Sequence, residues 1–349
     1  MLELLNSNYP PVKTSGQLFD KVFFDCFDKS KKLTAASGYI SEDSIADLLM
    51  LYKTGAKTQL DLIVGMHLFE GFSYGQYDAL CSLNELLKNE NLGAIYLSSS
   101  FKYHGKVYLF QESDNRKISI VGSSNLTKIS ASERIYDTDI ISDDENLTSS
   151  VENLLASLRD KGCEVIDKID SDKLKILPPD NLFEDYLSVK KVDSNELANM
   201  QSLKTDVKFE ILLKDEEKSN LNVYFGKPRV NFSNGSRLPR PWYEVELIVS
   251  KKVTENPNYP KPNTEFTVIT DDGYSFNCKV SGDFSKNFRS ANDLSILGRW
   301  IKGRMENKKA LNIGEKVTNA NFQKYGRNTI TLTKTTRENI WFLDFGVRQ

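Results

Sequence analysis

Residues 103–127 read YHGKVYLFQESDNRKISIVGSSNLT, and this stretch predicts the fold around it. VYLF and ISIV are rich in β-branched and aromatic residues, and ESDNRK between them has turn composition, so the segment is predicted to form a β-hairpin. His104 and Lys106 are two residues apart, and side chains at that spacing on a strand point to the same face. Ser123 and Asn125 follow a glycine, where the chain can turn sharply. The hairpin therefore brings four polar side chains to one place.

These four side chains suit attack on a phosphodiester. A neutral imidazole is a competent nucleophile near neutral pH, which makes His104 the candidate nucleophile. Lys106 would supply positive charge, while Ser123 and Asn125 would donate hydrogen bonds to the non-bridging phosphate oxygens. Phosphoryl transfer depends mainly on positioning and preorganised charge. The sequence thus predicts a phosphodiester hydrolase that needs no metal ion.

The spacing of these residues resembles the signature of the phospholipase D superfamily, HxK followed after a gap by GSxN. Residues 104–106 read HGK and residues 122–125 read GSSN. The resemblance implies that His104 forms a covalent phosphohistidine, that a second histidine protonates the leaving oxygen, and that no metal or other cofactor takes part. The aspartate that often follows the lysine is missing here, as it is in several nucleases of the superfamily.

In the superfamily an acidic residue that supports the histidine lies on the strand after the GSxN turn. That strand corresponds here to RIYDTDII at residues 134–141. The resemblance assigns the role to Asp137, with Glu133 as the alternative. Strand alternation places Asp137 on the same face as Asp139, and a carboxylate bonded to imidazole Nδ1 would fix the tautomer and stabilise the cation.

The chain has only two histidines. His67 follows the apolar strand LDLIVGM and is predicted to bond to nearby backbone, the alternative being a place in the pocket lining. A second catalytic histidine can come from a second copy of the chain, because a twofold axis brings the same patch of both subunits together. The sequence therefore predicts a homodimer with one shared active site.

The length of 349 residues and a change of pattern predict two domains. Apolar strands alternate with helical segments from residue 34 to residue 166, which is typical of an α/β sandwich with a mixed sheet, and this phospholipase-D-like domain is placed at residues 1–178. Residues 179–220 are predicted to be a linker and a lead-in helix. Short strands between turn clusters over residues 221–349 predict an all-β barrel or pseudobarrel.

The net charge of −2 conceals a strong asymmetry. Residues 221–349 carry 21 Lys and Arg against 12 Asp and Glu, a surplus of nine, whereas residues 1–180 carry 19 against 27, a deficit of eight. A basic domain beside a phosphodiester site predicts a nucleic-acid-binding module. Two basic loops contain side-chain types that contact bases or phosphates, and the candidates are Arg229, Asn231, Asn234, Arg237 and Arg240 in the first loop and Lys286, Asn287 and Arg289 in the second.

A single HxK domain followed by a basic β-domain is similar to the phospholipase-D-type restriction endonucleases of the NgoFVII and NgoAVII kind. The resemblance implies a B3-like DNA-recognition domain, double-stranded DNA as substrate and a metal-independent dimer. In some such systems an ATP-dependent helicase-like protein and a DNA methyltransferase are partners. Two alternatives remain: a phospholipid or nucleotide phosphodiesterase, and a DNA-binding partner with a non-catalytic nuclease fold. The basic β-domain favours the nuclease over the first alternative, and the intact HxK and GSxN residues favour it over the second.

Composition, apolar runs and cysteine spacing indicate the broad class of the protein. Hydrophobic residues make up 39% and charged residues 27%, as in ordinary soluble proteins. No apolar run approaches the ~18 residues of a membrane span and the amino terminus lacks a signal-peptide pattern, so no membrane contact and a cytoplasmic location are expected. The four cysteines lie far apart, which favours reduced thiols over a zinc site. A GxxxxGK[ST] loop is absent from the sequence, so any ATP requirement would lie in a partner protein.

Overall fold

The computed structural model describes residues 1–7, 12, 14–127, 136–177, 183, 186, 188–217, 219–226, 229–230, 237–238, 240–262, 264–291 and 293–347. The chain separates into two compact units, Met1–Asp180 and Asn181–Gln349. Each unit has its own large sheet.

The first unit combines helices with strands along its whole length. Its described strands are β1 (Leu2–Asn6), β2 (Ser30–Ser37), β3 (Gln59–Val64), β4 (Phe72–Ser73), β5 (Gly93–Ser98), β6 (Lys106–Glu112), β7 (Lys117–Gly122), β8 (Thr138–Ser142), β9 (Cys163–Val165) and β10 (Ile176–Leu177). Its described helices are α1 (Phe19–Lys29), α2 (Glu42–Lys53), α3 (His67–Glu70), α4 (Tyr74–Asn89) and α5 (Glu145–Gly162).

Within the described residues, eight of these strands form one mixed sheet in the order β1-β8-β7-β6-β2-β3-β5-β9. β2, β3 and β5 are parallel to one another, and the remaining pairs are antiparallel. The predicted hairpin is β6–β7, with Tyr108 opposite Ile120. The predicted α/β fold with a mixed sheet is confirmed.

Both faces of the hairpin are buried, because its side chains alternate between two layers of helix. On one face Phe23 of α1 packs against Tyr108 and Phe110, with ring centroids 5.8 Å and 5.6 Å apart. On the other face Val107 and Leu109 join a core cluster with residues of α5. Burial of each such side chain contributes about 1.5–3 kcal/mol. The packing fixes β6, and with it the residues at its amino end.

Four strand ends meet at that end of the sheet. The last residue of β2, Ser37, pairs with Lys106 at the start of β6. Gly122 at the end of β7 pairs with Asp139 near the start of β8. The HxK and GSSN segments are thereby brought to the same edge.

The second unit is mainly β. Its described strands are β11 (Lys190–Lys191), β12 (Lys204–Leu212), β13 (Arg229–Val230), β14 (Arg237–Leu238), β15 (Leu247–Ile248), β16 (Glu265–Thr270), β17 (Tyr274–Ser281), β18 (Asn287–Ser290), β19 (Thr329–Thr335) and β20 (Ile340–Asp344). Its described helices are α6 (Ser194–Ser202), α7 (Lys251–Thr254), α8 (Ser295–Asn307) and α9 (Asn319–Tyr325). The main sheet has the order β12-β19-β20-β16-β17-β18-β15 and is curled into a half-barrel, as the all-β prediction requires.

One part of the predicted linker belongs to this sheet. The predicted linker spans residues 179–220, yet Lys204–Leu212 forms β12 and pairs antiparallel with β19. Phe209, Ile211 and Leu213 are buried, and the exposed residues that alternate with them include Lys208 and Glu210. The period-two pattern of a strand was hidden because its exposed positions are acidic and basic, which makes the composition look like that of a linker.

Candidate active site

His104 and Lys106 lie together at the start of β6. The imidazole of His104 is exposed, whereas Lys106 is buried. Lys106 Nζ lies 3.3 Å from both ring nitrogens of His104 and donates a hydrogen bond to the His104 carbonyl oxygen at 2.6 Å. Burial lowers the pKa of Lys106, and the nearby charge of Asp137 opposes that fall. The site thus has an accessible imidazole with an ammonium group against it.

Two glycines allow the segment that carries His104 to lie close to the sheet. The N–H of Gly38, just after β2, donates to the carbonyl of Gly105 at 3.0 Å. A Cβ at Gly38 would be 3.0 Å from the Cα of His104, and a Cβ at Gly65 would collide with the carbonyl oxygen of Tyr103. Glycine at these two strand ends is therefore needed for the close approach.

The GSSN turn presents two polar groups at the same edge. Ser123 Oγ donates to Asp137 Oδ1 at 2.7 Å and accepts from the backbone N–H of Thr138 at 3.0 Å. Asn125 Oδ1 accepts from the backbone N–H of Tyr39 at 3.2 Å. A side-chain amide whose oxygen is engaged in this way offers its NH₂ group as the donor to a ligand.

A buried carboxylate holds the turn from behind. Asp139, at 2% exposure, accepts hydrogen bonds from the backbone N–H of Ser124 at 2.9 Å and from its hydroxyl at 2.5 Å. Tyr108 donates its hydroxyl to the Ser124 carbonyl at 2.8 Å. Burial raises the pKa of Asp139, and the hydrogen bonds from Ser124 oppose this rise. Strand alternation predicts only the face on which Asp139 lies, because its contact with Ser124 depends on the pairing of β7 with β8.

Replacing Asp139 by alanine is expected to lower the free energy of unfolding by about 1–3 kcal/mol, because the N–H and hydroxyl of Ser124 lose their acceptor in a buried site. Asp139→Asn is the matched control, since its amide can satisfy both groups. A carboxyl whose pKa is raised on folding stabilises the fold at acidic pH and loses that contribution as pH rises through the folded pKa. Urea unfolding measured across pH should therefore show that the free energy of unfolding of Asp139→Asn rises relative to that of wild type as pH increases. An alanine variant as stable as wild type would contradict this role for Asp139.

Asp137 contacts Ser123 and raises the pKa of Lys106. In the described part of the chain, no hydrogen bond joins Asp137 to His104. Glu133, the alternative acidic partner, lies outside the described residues. The assignment of the acidic partner stays a prediction.

Both ring nitrogens of His67 form hydrogen bonds with backbone groups. Nε2 accepts from the N–H of Ile40 at 3.2 Å, so the proton resides on Nδ1, which donates to the carbonyl of Gly71 at 3.0 Å. His67 is buried, and its bonds are those predicted for a histidine at a strand end.

The candidate DNA-binding residues are described only in part. Arg229 and Arg237 lie in the hairpin β13–β14, where only their backbone is described. Asn231 and Asn234 lie outside the described residues. Arg240 is described just beyond that hairpin, and Lys286, Asn287 and Arg289 are described at β18 and immediately before it.

Two acidic side chains contact residues of the two candidate DNA-binding loops. Arg240 Nη1 lies 3.5 Å from Glu244 Oε1, and Asn287 Nδ2 donates to Glu246 Oε1 at 2.7 Å. Because β15 pairs with β18, the segment that carries Glu244 and Glu246 ties the two loops together. Arg240 is therefore placed by an ion pair within the protein, a contact that the composition of its loop does not predict.

Helix α8 anchors the end of the first loop. Lys302, which is fully buried, donates to the Trp242 carbonyl at 2.6 Å. Glu306 accepts from Trp242 Nε1 at 3.2 Å and from the Tyr243 hydroxyl at 2.7 Å. These bonds fix the chain directly after Arg240.

Among the residues that the structure describes, no group of three or more His, Cys, Asp or Glu side chains is arranged to hold a metal ion. The described helices include none that is long and apolar enough to cross a membrane. The four cysteines are free thiols.

The fold and the site define a nuclease domain of the phospholipase D type, followed along the chain by a B3-like DNA-binding domain. Two family models agree with this class. The NgoFVII restriction endonuclease N-terminal PLD domain matches residues 17–170, and the NgoFVII C-terminal B3-like DNA-binding domain matches residues 199–336. Together they span most of the chain, which belongs to the NgoFVII restriction endonuclease family and is a DNA-hydrolysing enzyme.

Solved structures resemble about half of the chain. NucT from Helicobacter pylori is 12% identical, with a TM-score of 0.34 over 47% of this chain and 99% of NucT. Nuc from Salmonella typhimurium, a phospholipase D family member, is 14% identical, with a TM-score of 0.33 over 47% of this chain and 97% of Nuc. No curated protein matches the chain in sequence.

Proposed function

We propose that this enzyme is a site-specific restriction endonuclease that cleaves double-stranded DNA through a covalent phosphohistidine on His104, without a metal ion, in a site shared by two copies of the chain. The observation that carries the proposal is the contact of Lys106 Nζ with the exposed imidazole of His104 at the edge where the GSSN turn lies. An accessible nucleophile beside a fixed positive charge is what phosphoryl transfer without a metal requires.

The reaction proceeds in two steps. A ring nitrogen of His104 attacks phosphorus, and the bond from phosphorus to one DNA oxygen breaks as that oxygen takes a proton from His104 of the partner subunit. Water then attacks the phosphohistidine, gives its proton to the same partner histidine, and releases the second DNA end with its phosphate. The charge on the non-bridging oxygens is held by Lys106 and by the NH₂ group of Asn125, because the single hydroxyl proton of Ser123 is donated to Asp137. Asp137, held by Ser123, supports the histidine that becomes protonated.

A second subunit supplies the proton because His67 cannot do so in its observed state. Both of its ring nitrogens are bonded to backbone groups of its own unit. A twofold arrangement supplies the second His104 without any further histidine in the sequence.

Two further partners belong to this proposal. A cognate DNA methyltransferase would protect the host's own sites, and an ATP-dependent helicase-like protein would account for any requirement for ATP. The sequence of this chain has no GxxxxGK[ST] loop that could bind ATP in place of such a partner.

Discrete fragments should form when the purified protein is incubated with unmethylated plasmids in excess EDTA and without nucleotide, since every catalytic group named here is a side chain. Strict dependence on magnesium would overturn the metal-independent mechanism. Hydrolysis of a fluorogenic phosphodiester without DNA cleavage would point to a missing partner protein or to a different phosphodiester substrate.

Subunit sharing is tested by co-expressing wild-type chains with His104→Ala chains at several ratios. Each mixed dimer holds one of the two required histidines, so activity should fall as the square of the wild-type fraction. A linear fall, or cleavage by a monomer in light scattering, would contradict the shared site while leaving the nuclease activity itself intact.

A further inference from the structure

Tyr39 contacts both halves of the catalytic motif. It lies in the short loop between β2 and α2, and its ring centroid is 5.6 Å from that of His104 with the planes at 81°. Its backbone N–H donates to Asn125 Oδ1 at 3.2 Å. The ring of Tyr39 therefore contacts the candidate nucleophile His104, and its backbone contacts Asn125, a candidate phosphate ligand.

The ring of Tyr39 is itself held by a second aromatic contact. It packs against His67 with centroids 5.6 Å apart and planes at 90°, and His67 is fixed by its two backbone bonds. The Tyr39 hydroxyl donates to Glu70 Oε2 at 2.9 Å. Glu70 also lies 3.6 Å from Lys102 Nζ. The hydroxyl is thus directed to Glu70, while the ring lies against His104.

His104 needs such support. Its side chain is exposed and precedes the first residue of β6, so the strand does not restrict its rotation. An exposed side chain without a packing partner samples several rotamers, and only some of them aim a ring nitrogen at phosphorus. An aromatic ring packed nearly perpendicular to the imidazole limits those rotamers.

We infer that Tyr39 is a positioning residue for the reaction, which sets the imidazole of His104 for attack and holds the Asn125 amide for the phosphate. The inference rests on the proposed function. The ring carries the first role, because the hydroxyl is engaged by Glu70, and the backbone carries the second. Loss of the ring should therefore slow the covalent step without weakening DNA binding.

The test compares Tyr39→Leu, Tyr39→Phe and wild type by rapid quench under single-turnover conditions, with formation of the protein–DNA adduct and the Kd for plasmid DNA as readouts. Tyr39→Leu should slow adduct formation about 100-fold, the cost of misplacing a reacting group by about 1 Å, with Kd changed less than about twofold. Tyr39→Phe keeps the ring and should stay within about threefold of wild type. Tyr74→Leu, which changes an exposed tyrosine of the same unit, is the matched control.

Each outcome of this test distinguishes between roles of Tyr39. Adduct formation at the wild-type rate in Tyr39→Leu would overturn the inference, and so would a loss of DNA binding with the rate unchanged, because Tyr39 would then be a substrate contact. Equal defects in the phenylalanine and leucine variants would assign the effect to the hydroxyl instead.

Thermal melting checks folding, with Tyr39→Met as a substitute if the leucine variant does not fold. Wild-type cleavage without any adduct would refute the phosphohistidine, and Tyr39 would then be judged by its effect on the cleavage rate.

Discussion

Replacing His104 by alanine is expected to abolish DNA cleavage, by about ten-thousand-fold or more, and to leave DNA affinity unchanged. The expected loss is large because, in the proposed dimer, alanine removes both the nucleophile of one subunit and the proton donor of the other. The imidazole is exposed at a strand end, so the change should not lower the melting temperature. Filter binding and plasmid cleavage on the same preparations measure the two properties.

Lys286→Ala is the complementary variant, because it lies beside β18 in a candidate DNA-binding loop. Removing one phosphate contact should weaken binding and reduce the slope of log affinity against log salt by about one, while bound DNA is cut at the normal rate. Cleavage and binding lost together in His104→Ala would refute the separation of catalysis from DNA binding.

The sequence predicted the hairpin and the cluster of candidate catalytic side chains because local rules determine both. Alternation with a period of two, a polar turn and an HxK spacing each act over a few residues. The two-residue spacing predicted the proximity of His104 to Lys106, although the structure places His104 before the first residue of β6. The α/β and all-β classes likewise follow from repeated local patterns.

The supporting residues could not be predicted in this way, because their contacts join segments distant in the chain. Tyr39 meets Asn125 because β6 pairs with both β2 and β7, the strands that these two residues follow, and Asp139 meets Ser124 through the pairing of β7 with β8. A serine, a glycine and a tyrosine at the end of an apolar strand were a signal for the first contact, but strand order was needed to interpret it. Glu244 and Glu246 were overlooked for the same reason.

Lys106→Met is expected to lower kcat about 100- to 1000-fold, the usual effect of removing one preorganised donor from a charged transition state. Methionine retains the apolar length of the side chain and removes the ammonium. Because the cost of burying a charge disappears, the variant should be at least as stable as wild type at neutral pH. This separates catalysis from folding, since a merely structural lysine would lose stability and activity together.

The pH dependence of wild type supplies a second check on Lys106. In the proposed mechanism the Lys106 ammonium must be protonated, and burial lowers its pKa. We therefore expect kcat to fall as pH rises through that lowered pKa, at a lower pH than an ordinary lysine would give. Asp137 opposes the shift, so in Asp137→Asn the alkaline fall should begin at a still lower pH. Measured kcat–pH profiles of wild type, Asp137→Asn and Lys106→Met test this, and the methionine variant should lack the Lys106 titration. An alkaline limb that remains unchanged in Lys106→Met would show that another group titrates there, and the charge that faces the phosphate would have to be sought elsewhere.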